Sequence, residues 1–272
     1  MRELLRPVRG PRDRFERRYN EMKRLGTDLA RADLEQREPG LTFNPVLVLI
    51  ASYFEADNIG AVLKAVPADV DGLATSILVV IDGGDDGTEA ICDEHGAHWV
   101  KLPCNLGHGV ALRLGYELAV DRAAEYVVTL DADGQNDPSE IPEMLAPVIA
   151  DEYDFVVASR RLGEDQTSDQ LRKTGVVVFA EIINRLTNQK LSDTSNGYRA
   201  LRIDVLRDVL LEQDQYQTAE LIISAACRGW RIGERPTVWH PRTSGVSKKG
   251  SNILYGPRYA MVIARTYLRE RR

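Results

Sequence analysis

Cysteine is scarce in this 272-residue chain: Cys92, Cys104 and Cys227 are three in all and widely spaced. That excludes a disulfide framework and a zinc ribbon, and a reducing, cytoplasmic setting is expected. Long hydrophobic runs are missing as well. The longest stretch without a charge runs from Pro39 to Phe54 and includes Thr42, Asn44, Pro45 and Ser52. It falls short of the roughly 20 apolar residues a membrane-spanning helix needs. The opening MRELLRPVRG has no apolar core, so no secretory signal is expected there. No repeat or low-complexity tract is present. An apolar share of 43% with a net charge of only −6 excludes a disordered chain.

The charge is unevenly placed. Residues 1–40 hold 11 basic against 8 acidic side chains, and residues 241–272 hold 8 against 1, which leaves 16 against 32 for the body. An acidic body argues against a nucleic-acid-binding domain. Basic ends suit an anionic partner, such as a phosphate or a lipid surface.

Residues 11–37 read as a polar, mostly solvated helix closed by Pro39-Gly40. From Pro45 the pattern changes. Short apolar runs at 46–51, 76–81, 97–102, 125–130 and 154–159 are strands of the kind buried on both faces, and helical segments separate them. This alternation predicts an α/β fold, a mostly parallel sheet covered on both faces. Ligands of such sheets bind at the carboxyl ends of strands. Helices are predicted at 170–187, 204–211, 218–228 and 252–270, a strand at 231–240, and a mobile loop at 241–251. The expected organisation is a helical extension (1–40), one domain (41–250) and a C-terminal amphipathic helix (251–272).

The chemistry-bearing residues fall in the loops after the strands. Asp131-Ala132-Asp133-Gly134-Gln135 follows the fourth strand. Two carboxylates at i and i+2 repel unless a positive charge lies near, and Mg²⁺ is satisfied by one or two carboxylates plus water and substrate phosphates. Gln135 adds a neutral oxygen; the competing reading is a capped turn before the helix at Pro138. Asp82-Gly83-Gly84 follows the second strand, where glycine lets the backbone approach a ligand and Asp82 is placed to accept from a base or sugar. Asn105-Leu106-Gly107-His108-Gly109 lacks the third glycine of a dinucleotide fingerprint, so an NAD site is disfavoured and an amide-lined loop near a phosphate is expected. Asp193 to Arg199 and Gln217 to Glu220 are dense in polar groups between apolar segments.

In order, Tyr53…Glu55, Asp82-Gly83…Asp86-Gly87-Thr88, Asn105-x-Gly107-x-Gly109, Asp131-x-Asp133-Gly134-Gln135…Asp137-Pro138, Ser159-Arg160, Asp193-Thr194…Gly197-Tyr198-Arg199, Thr218-x-Glu220 and Gly245-x-Ser247-Lys248 resemble glycosyltransferase family 2. The resemblance covers roughly residues 45–250, and the branch it looks most like is that of the polyprenyl-phosphate sugar transferases, typified by dolichyl-phosphate mannose synthases. It implies a GT-A fold and inverting transfer of a hexose from a nucleoside diphosphate sugar to a polyprenyl phosphate, with Mg²⁺ or Mn²⁺ as cofactor.

By that resemblance Asp82 contacts the nucleobase together with the loop that holds Ser52, Tyr53 and Glu55, and Gly83, Asn105, Gly107 and His108 line the donor. Asp131 touches ribose or metal, and Asp133 and Gln135 hold the metal. Arg160 and Arg199 contact phosphates, and Lys248 folds over the site. Glu220, with Asp193 second, is the candidate general base if the acceptor is a hydroxyl. Phe54, Ile81 and His108 depart from the usual Asn, Asp and Lys or Arg of the family, all at donor recognition. Two alternatives stay open: a soluble hydroxyl acceptor, and a nucleotidyltransferase, although the latter's usual Gly-rich basic loop is missing after the first strand. Arg258, Arg265, Arg269 and Arg272 form one stripe of the last helix, either solvated or, with Lys248 and Lys249, facing anionic lipid in a peripheral membrane contact.

Overall fold

A computed structural model of the chain describes residues 11–167, 170–242 and 252–271. Lys248, Lys249 and Arg272 lie outside the described residues.

Strands β1 (Val46–Ser52), β3 (Leu73–Ile81), β4 (His98–Lys101) and β5 (Tyr126–Asp131) pair in parallel, in the order β4-β3-β1-β5, and the short β2 (Asp69–Val70) folds back on the start of β3. Their residues are apolar on both sides because both sides are covered. Leu47, Leu49, Leu78, Val80 and Val100 point into one core with α4 (His108–Asp121) and α8 (Gln217–Cys227). Val46, Val48, Ile50, Val79 and Ile81 point into the other, with α2 (Ala56–Ala65), α3 (Thr88–Glu94) and α5 (Ile141–Ile149). The expected mostly parallel sheet with helices on both faces is what forms.

The sheet continues past β5 through β7 (Arg199–Arg202), which is antiparallel to both neighbours, then β6 (Phe155–Asp165) and β8 (Ile232–Trp239), a parallel pair. The sequence does not predict β7. It has four residues, with arginine at each end, and neighbours on both sides specify it. β6 runs on to Asp165, six residues beyond the expected strand. The segment after Asp137 begins with a single 3₁₀ turn (Pro138–Glu140), started by the Asp137 carboxylate accepting from Ser139 N at 2.9 Å.

Helix α1 (Pro11–Arg37) does not stand away from the domain. Ala30 and Leu34 are buried in the first core, and Gly26 lies so close to the 103–106 loop that a Cβ there would meet Leu106 Cδ1 at 2.7 Å. Lys23 pairs with Asp214 at 2.7 Å, and the Arg37 guanidinium stacks 3.5 Å over the Trp99 ring. The remaining helices are α6 (Gln170–Thr187), α7 (Ile203–Asp208) and α9 (Asn252–Glu270). No helix among the described residues is long and apolar enough to cross a membrane.

α9 buries Tyr259, Val262, Ile263 and Thr266. Its arginines do not form one solvent-facing stripe. Arg258 and Arg265 are exposed, but Arg269 turns inward, with Nη1 donating to Glu212 (2.9 Å) and Glu220 (2.8 Å) and Nη2 to the Leu210 carbonyl (2.6 Å). A buried carboxylate drew it out of the expected stripe.

Candidate active site

The parallel strands end at one edge, and the register brings their last residues level: Ser52 lies beside Ile81, Ala51 beside Asp131 and Ile81 beside Lys101. The loops that follow therefore share one rim: Tyr53–Glu55, Asp82–Gly84, Pro103–Gly107 and Ala132–Gln135. Asn105 and His108 are exposed there.

Asp82 is 4% exposed. Its Oδ1 accepts from Leu106 N at 2.7 Å and its Oδ2 from Gly107 N at 3.0 Å, so it fastens the donor-side loop from beneath. Gly83 permits the approach: with φ at 75°, a Cβ would lie 2.5 Å from the Cys104 carbonyl carbon. Burial raises the Asp82 carboxyl to about 6, against the pull of the two amides. Its carboxylate thus bonds the 105–107 loop from beneath, whereas the resemblance has it contact the nucleobase.

At the acidic turn only Asp131 belongs to the strand; Asp133 sits in the turn itself. Gly197 backs Asp131, since a Cβ at that glycine would stand 3.1 Å from Asp131 Oδ1. Asp133 Oδ1 accepts from Gln135 N (3.1 Å), and Oδ2 receives Arg242 Nη2 at 2.6 Å. The same guanidinium gives Nη1 to Glu55 Oε1 at 2.9 Å, and Glu55 Oε2 accepts from Asn58 Nδ2 at 2.7 Å. Arg242 is a site residue that sequence reasoning misses: nothing local ties residue 242 to residue 133. The tie is Gln135, whose Nε2 donates to the His240 carbonyl (3.1 Å) while its own carbonyl accepts from His240 N (2.9 Å). Gln135 thus fastens the end of β8 through Nε2, a bond that does not use Oε1, the oxygen expected to serve the metal.

Do these residues suit a divalent cation? A guanidinium already bridges two carboxylates, Glu55 and Asp133, one strand end away from Asp131. Asn136, 1% exposed beside the turn, has neither side-chain atom hydrogen-bonded among the described residues, and the same holds for buried Ser52 Oγ. No group of three or more His, Cys, Asp or Glu side chains forms a ready cage among the described residues. A Mg²⁺-type ion takes few protein ligands and completes its shell with water and phosphate. Asp131 and Asp133 are the two carboxylates that would hold it, and Asp133, 6% exposed, would first have to release Arg242 from Oδ2.

Four of the expected roles need correction. Arg160 does not face phosphate. It is 5% exposed and clasps Asp193 with Nε to Oδ2 at 2.6 Å and Nη2 to Oδ1 at 2.8 Å, 5.0 Å from the Trp239 ring. Asp193 is fully buried; burial would raise its carboxyl, but the Arg160 bonds hold it below the usual range, so it is a poor base. Arg199 is 2% exposed and spends Nε on the Asn196 carbonyl (3.0 Å), supporting the 193–197 turn from inside; burial lowers its pKa. Glu220 is 0% exposed, with Oε1 accepting from Glu212 N and Oε2 from Gln213 N, each at 2.9 Å, besides Arg269. It anchors the segment whose Asp214 carbonyl accepts from Gly109 N. A carboxylate in the sequence does not reveal the arginine that will claim it.

Phe54, the departure from the usual Asn, is left-handed at φ 54° and lays its ring against Gly84, with Tyr53 edge-on at 4.7 Å between centroids. Asn tolerates that conformation better than Phe. Phe54→Asn is expected to leave stability unchanged or raise it by about 0.5–1 kcal/mol, while weakening nucleotide binding about tenfold through loss of the aromatic wall. Urea unfolding and calorimetric titration with nucleoside diphosphates measure the two effects separately. Unchanged affinity would remove the ring from the donor site.

The sheet order, the strand-end rim and the acidic turn define a GT-A fold. Residues 47–210 match the family described as Glycosyl transferase family 2, and the chain belongs to that family. It is a glycosyltransferase. It is 33% identical over 201 residues, covering 74% of this chain and 85% of the relative, to a dolichyl-phosphate hexose transferase of Haloferax volcanii. It is 31% identical over 224 residues, covering 76% and 82%, to a polyprenol monophosphomannose synthase of Mycolicibacterium smegmatis. Among solved structures it resembles glucosyl-3-phosphoglycerate synthase from Mycobacterium tuberculosis in complex with Mn²⁺, uridine diphosphate and glucosyl-3-phosphoglycerate. The TM-score is 0.63 at 18% identity, over 88% of this chain and 83% of that one, a likeness of fold.

Proposed function

We propose that the chain transfers a hexose from a nucleoside diphosphate sugar to a polyprenyl phosphate, with inversion and with a divalent cation on Asp131 and Asp133. The observation that carries the choice of acceptor is the burial of Glu220 and Asp193. A hydroxyl acceptor needs a general base within reach, worth roughly 10²–10⁴ in rate. Both carboxylates nominated for that work are buried and bonded to arginines. A phosphate acceptor is already an anion and needs no base. The names of the relatives, a dolichyl-phosphate hexose transferase and a polyprenol monophosphomannose synthase, support the same acceptor class.

In this reading Tyr53, Phe54 and the Asp82-fastened loop receive the nucleotide. A bound divalent cation supplies charge neutralisation for the departing diphosphate. Asp131 and Asp133 would hold it once Arg242 leaves Glu55 and Asp133, and the released planar fork of Arg242 would suit phosphate oxygens. The chain's own contribution is positioning and charge stabilisation.

The test uses a panel of nucleoside diphosphate hexoses with an undecaprenyl phosphate acceptor, the matching undecaprenol and a soluble polyol, with Mn²⁺ or EDTA. Transfer is expected to the phosphate alone. Asp133→Asn is expected to lower it about 100-fold, and EDTA to do the same to the wild type. Full activity in EDTA would overturn the metal, and transfer to either hydroxyl acceptor in place of the phosphate would overturn the acceptor.

A further inference from the structure

The guanidinium of Arg242 stands where a cation is expected. It gives Nη2 to Asp133 Oδ2 at 2.6 Å and Nη1 to Glu55 Oε1 at 2.9 Å, and both carboxylates are buried. The other oxygen of Asp133 accepts from Gln135 N at 3.1 Å. Both oxygens of a carboxylate that would hold the metal are thus already bonded, one of them to a full positive charge. A divalent ion on Oδ2 would meet that guanidinium at contact distance, in a place shielded from water, where like charges are screened least. The backbone keeps Arg242 there. His240 N donates to the Gln135 carbonyl at 2.9 Å, and the His240 carbonyl accepts from Gln135 Nε2 at 3.1 Å, so residue 240 is tied to the turn that carries Asp133. Arg242 can leave its carboxylates by turning its side chain, and the tie keeps it beside the turn when it does.

We propose that Arg242 is a resident counter-ion that keeps a free divalent cation off Asp133 and yields only to a cation that brings a diphosphate with it. The donor is then taken up as its metal complex. This rests on the reading that places the cation on Asp131 and Asp133. A cation arriving alone has to break both bonds of Arg242 and leave the guanidinium without an anion in a partly buried place. A cation arriving with a nucleoside diphosphate brings the anion that receives the guanidinium, because a planar two-donor fork suits phosphate oxygens as it suits carboxylates. A diphosphate without a cation would draw Arg242 off and set its own negative charge beside Glu55 and Asp133. Cation and diphosphate therefore bind as a unit, each raising the affinity for the other by the same factor.

Binding of Mn²⁺ to the full chain tests this, followed by the electron paramagnetic resonance signal of the free ion, with and without uridine diphosphate and against a protein-free blank. In the wild type uridine diphosphate is expected to raise the Mn²⁺ affinity about 50-fold. Arg242→Met is expected to tighten Mn²⁺ alone about tenfold and to cut the nucleotide's effect to about fivefold, the part that comes from phosphate oxygens on the ion itself. Arg242→Lys keeps a cation for the two carboxylates and so guards the fold. It is expected to bind Mn²⁺ alone about threefold more tightly than the wild type, because a point charge does not bond both carboxylates as a fork does. Circular dichroism checks that each variant folds. Asp133→Asn is expected to lose Mn²⁺ with and without the nucleotide. Mn²⁺ retained there would overturn the metal reading, and the proposal with it. With Mn²⁺ lost there, the proposal alone is overturned if Mn²⁺ by itself binds the wild type as tightly as it binds Arg242→Met and Arg242→Lys, or if uridine diphosphate raises its affinity equally in the wild type and Arg242→Met.

Discussion

Arg160→Met is expected to destabilise the fold by about 3–5 kcal/mol, because it strands a buried carboxylate. Asp193 is fully buried and Arg160 nearly so, and the pair is bidentate, with Arg160 Nη2 also donating to Ser195 Oγ at 2.7 Å. Around them Glu234 accepts from Ser192 N at 2.7 Å and from Asp193 N at 2.9 Å, so a second carboxylate stands behind the first, and burial raises its pKa. Without the guanidinium, the buried Asp193 carboxylate stands beside a second, half-buried acid. Met keeps an unbranched apolar stem and removes the guanidinium with its charge and donors. The sign with pH follows. Arg160 holds Asp193 below the ordinary carboxylate range, so the pair's contribution is present above that range and is lost as acid protonates Asp193. Urea unfolding at pH 7 measures the loss, and Asp193→Leu added to Arg160→Met is expected to restore most of it. If Arg160 were instead a phosphate contact, Arg160→Met would fold with wild-type stability and fail only in donor binding.

That contrast marks what sequence can and cannot convey. β1, β3 and β5 are legible because each is apolar at nearly every position of its buried stretch, a demand made only by a sheet covered on both faces. Asp131 and Asp133 are legible because they follow such a strand directly. β7 is illegible: Arg-Ala-Leu-Arg has no strand signature, and its burial comes from β5 and β6 on either side. The partners of charged groups are illegible for the same reason. Glu220 finds Arg269, 49 residues on, Asp193 finds Arg160, and Asp133 finds Arg242, 109 residues on. Each pairing depends on how the helices and the late strand β8 pack. Residue type alone identifies candidate chemistry. Burial and pairing then mark those that hold the architecture, and a carboxylate at the rim can be one of them: Asp133 is 6% exposed and paired with Arg242.

Asp82 belongs to both groups, and its titration is expected to be visible in stability. The ordinary aspartate value is 3.8, and burial moves Asp82 to about 6. Between these values the folded chain keeps a proton that the unfolded chain has released. Stability therefore falls as pH rises from about 4 to about 6, by roughly 3 kcal/mol at ~1.36 kcal/mol for each pH unit between the two values. Asp82→Asn has no such proton to lose. Its altered bonds to Leu106 N and Gly107 N add an offset that does not vary with pH, and every other titrating group is common to both proteins. The stability of Asp82→Asn relative to wild type is thus expected to rise by about 2–3 kcal/mol between pH 4 and pH 7, read from urea unfolding of both at each pH. Parallel profiles would mean that Asp82 ionises as freely folded as unfolded, and the clamp on the 105–107 loop would not be a buried charge. If the profiles diverge as expected, the ionised clamp at neutral pH stores an unfavourable charge beneath the donor loop. A ligand N–H that reaches Asp82 would relieve it, so nucleotide affinity is expected to climb through the same pH 4–6 window in the wild type and to stay flat in Asp82→Asn.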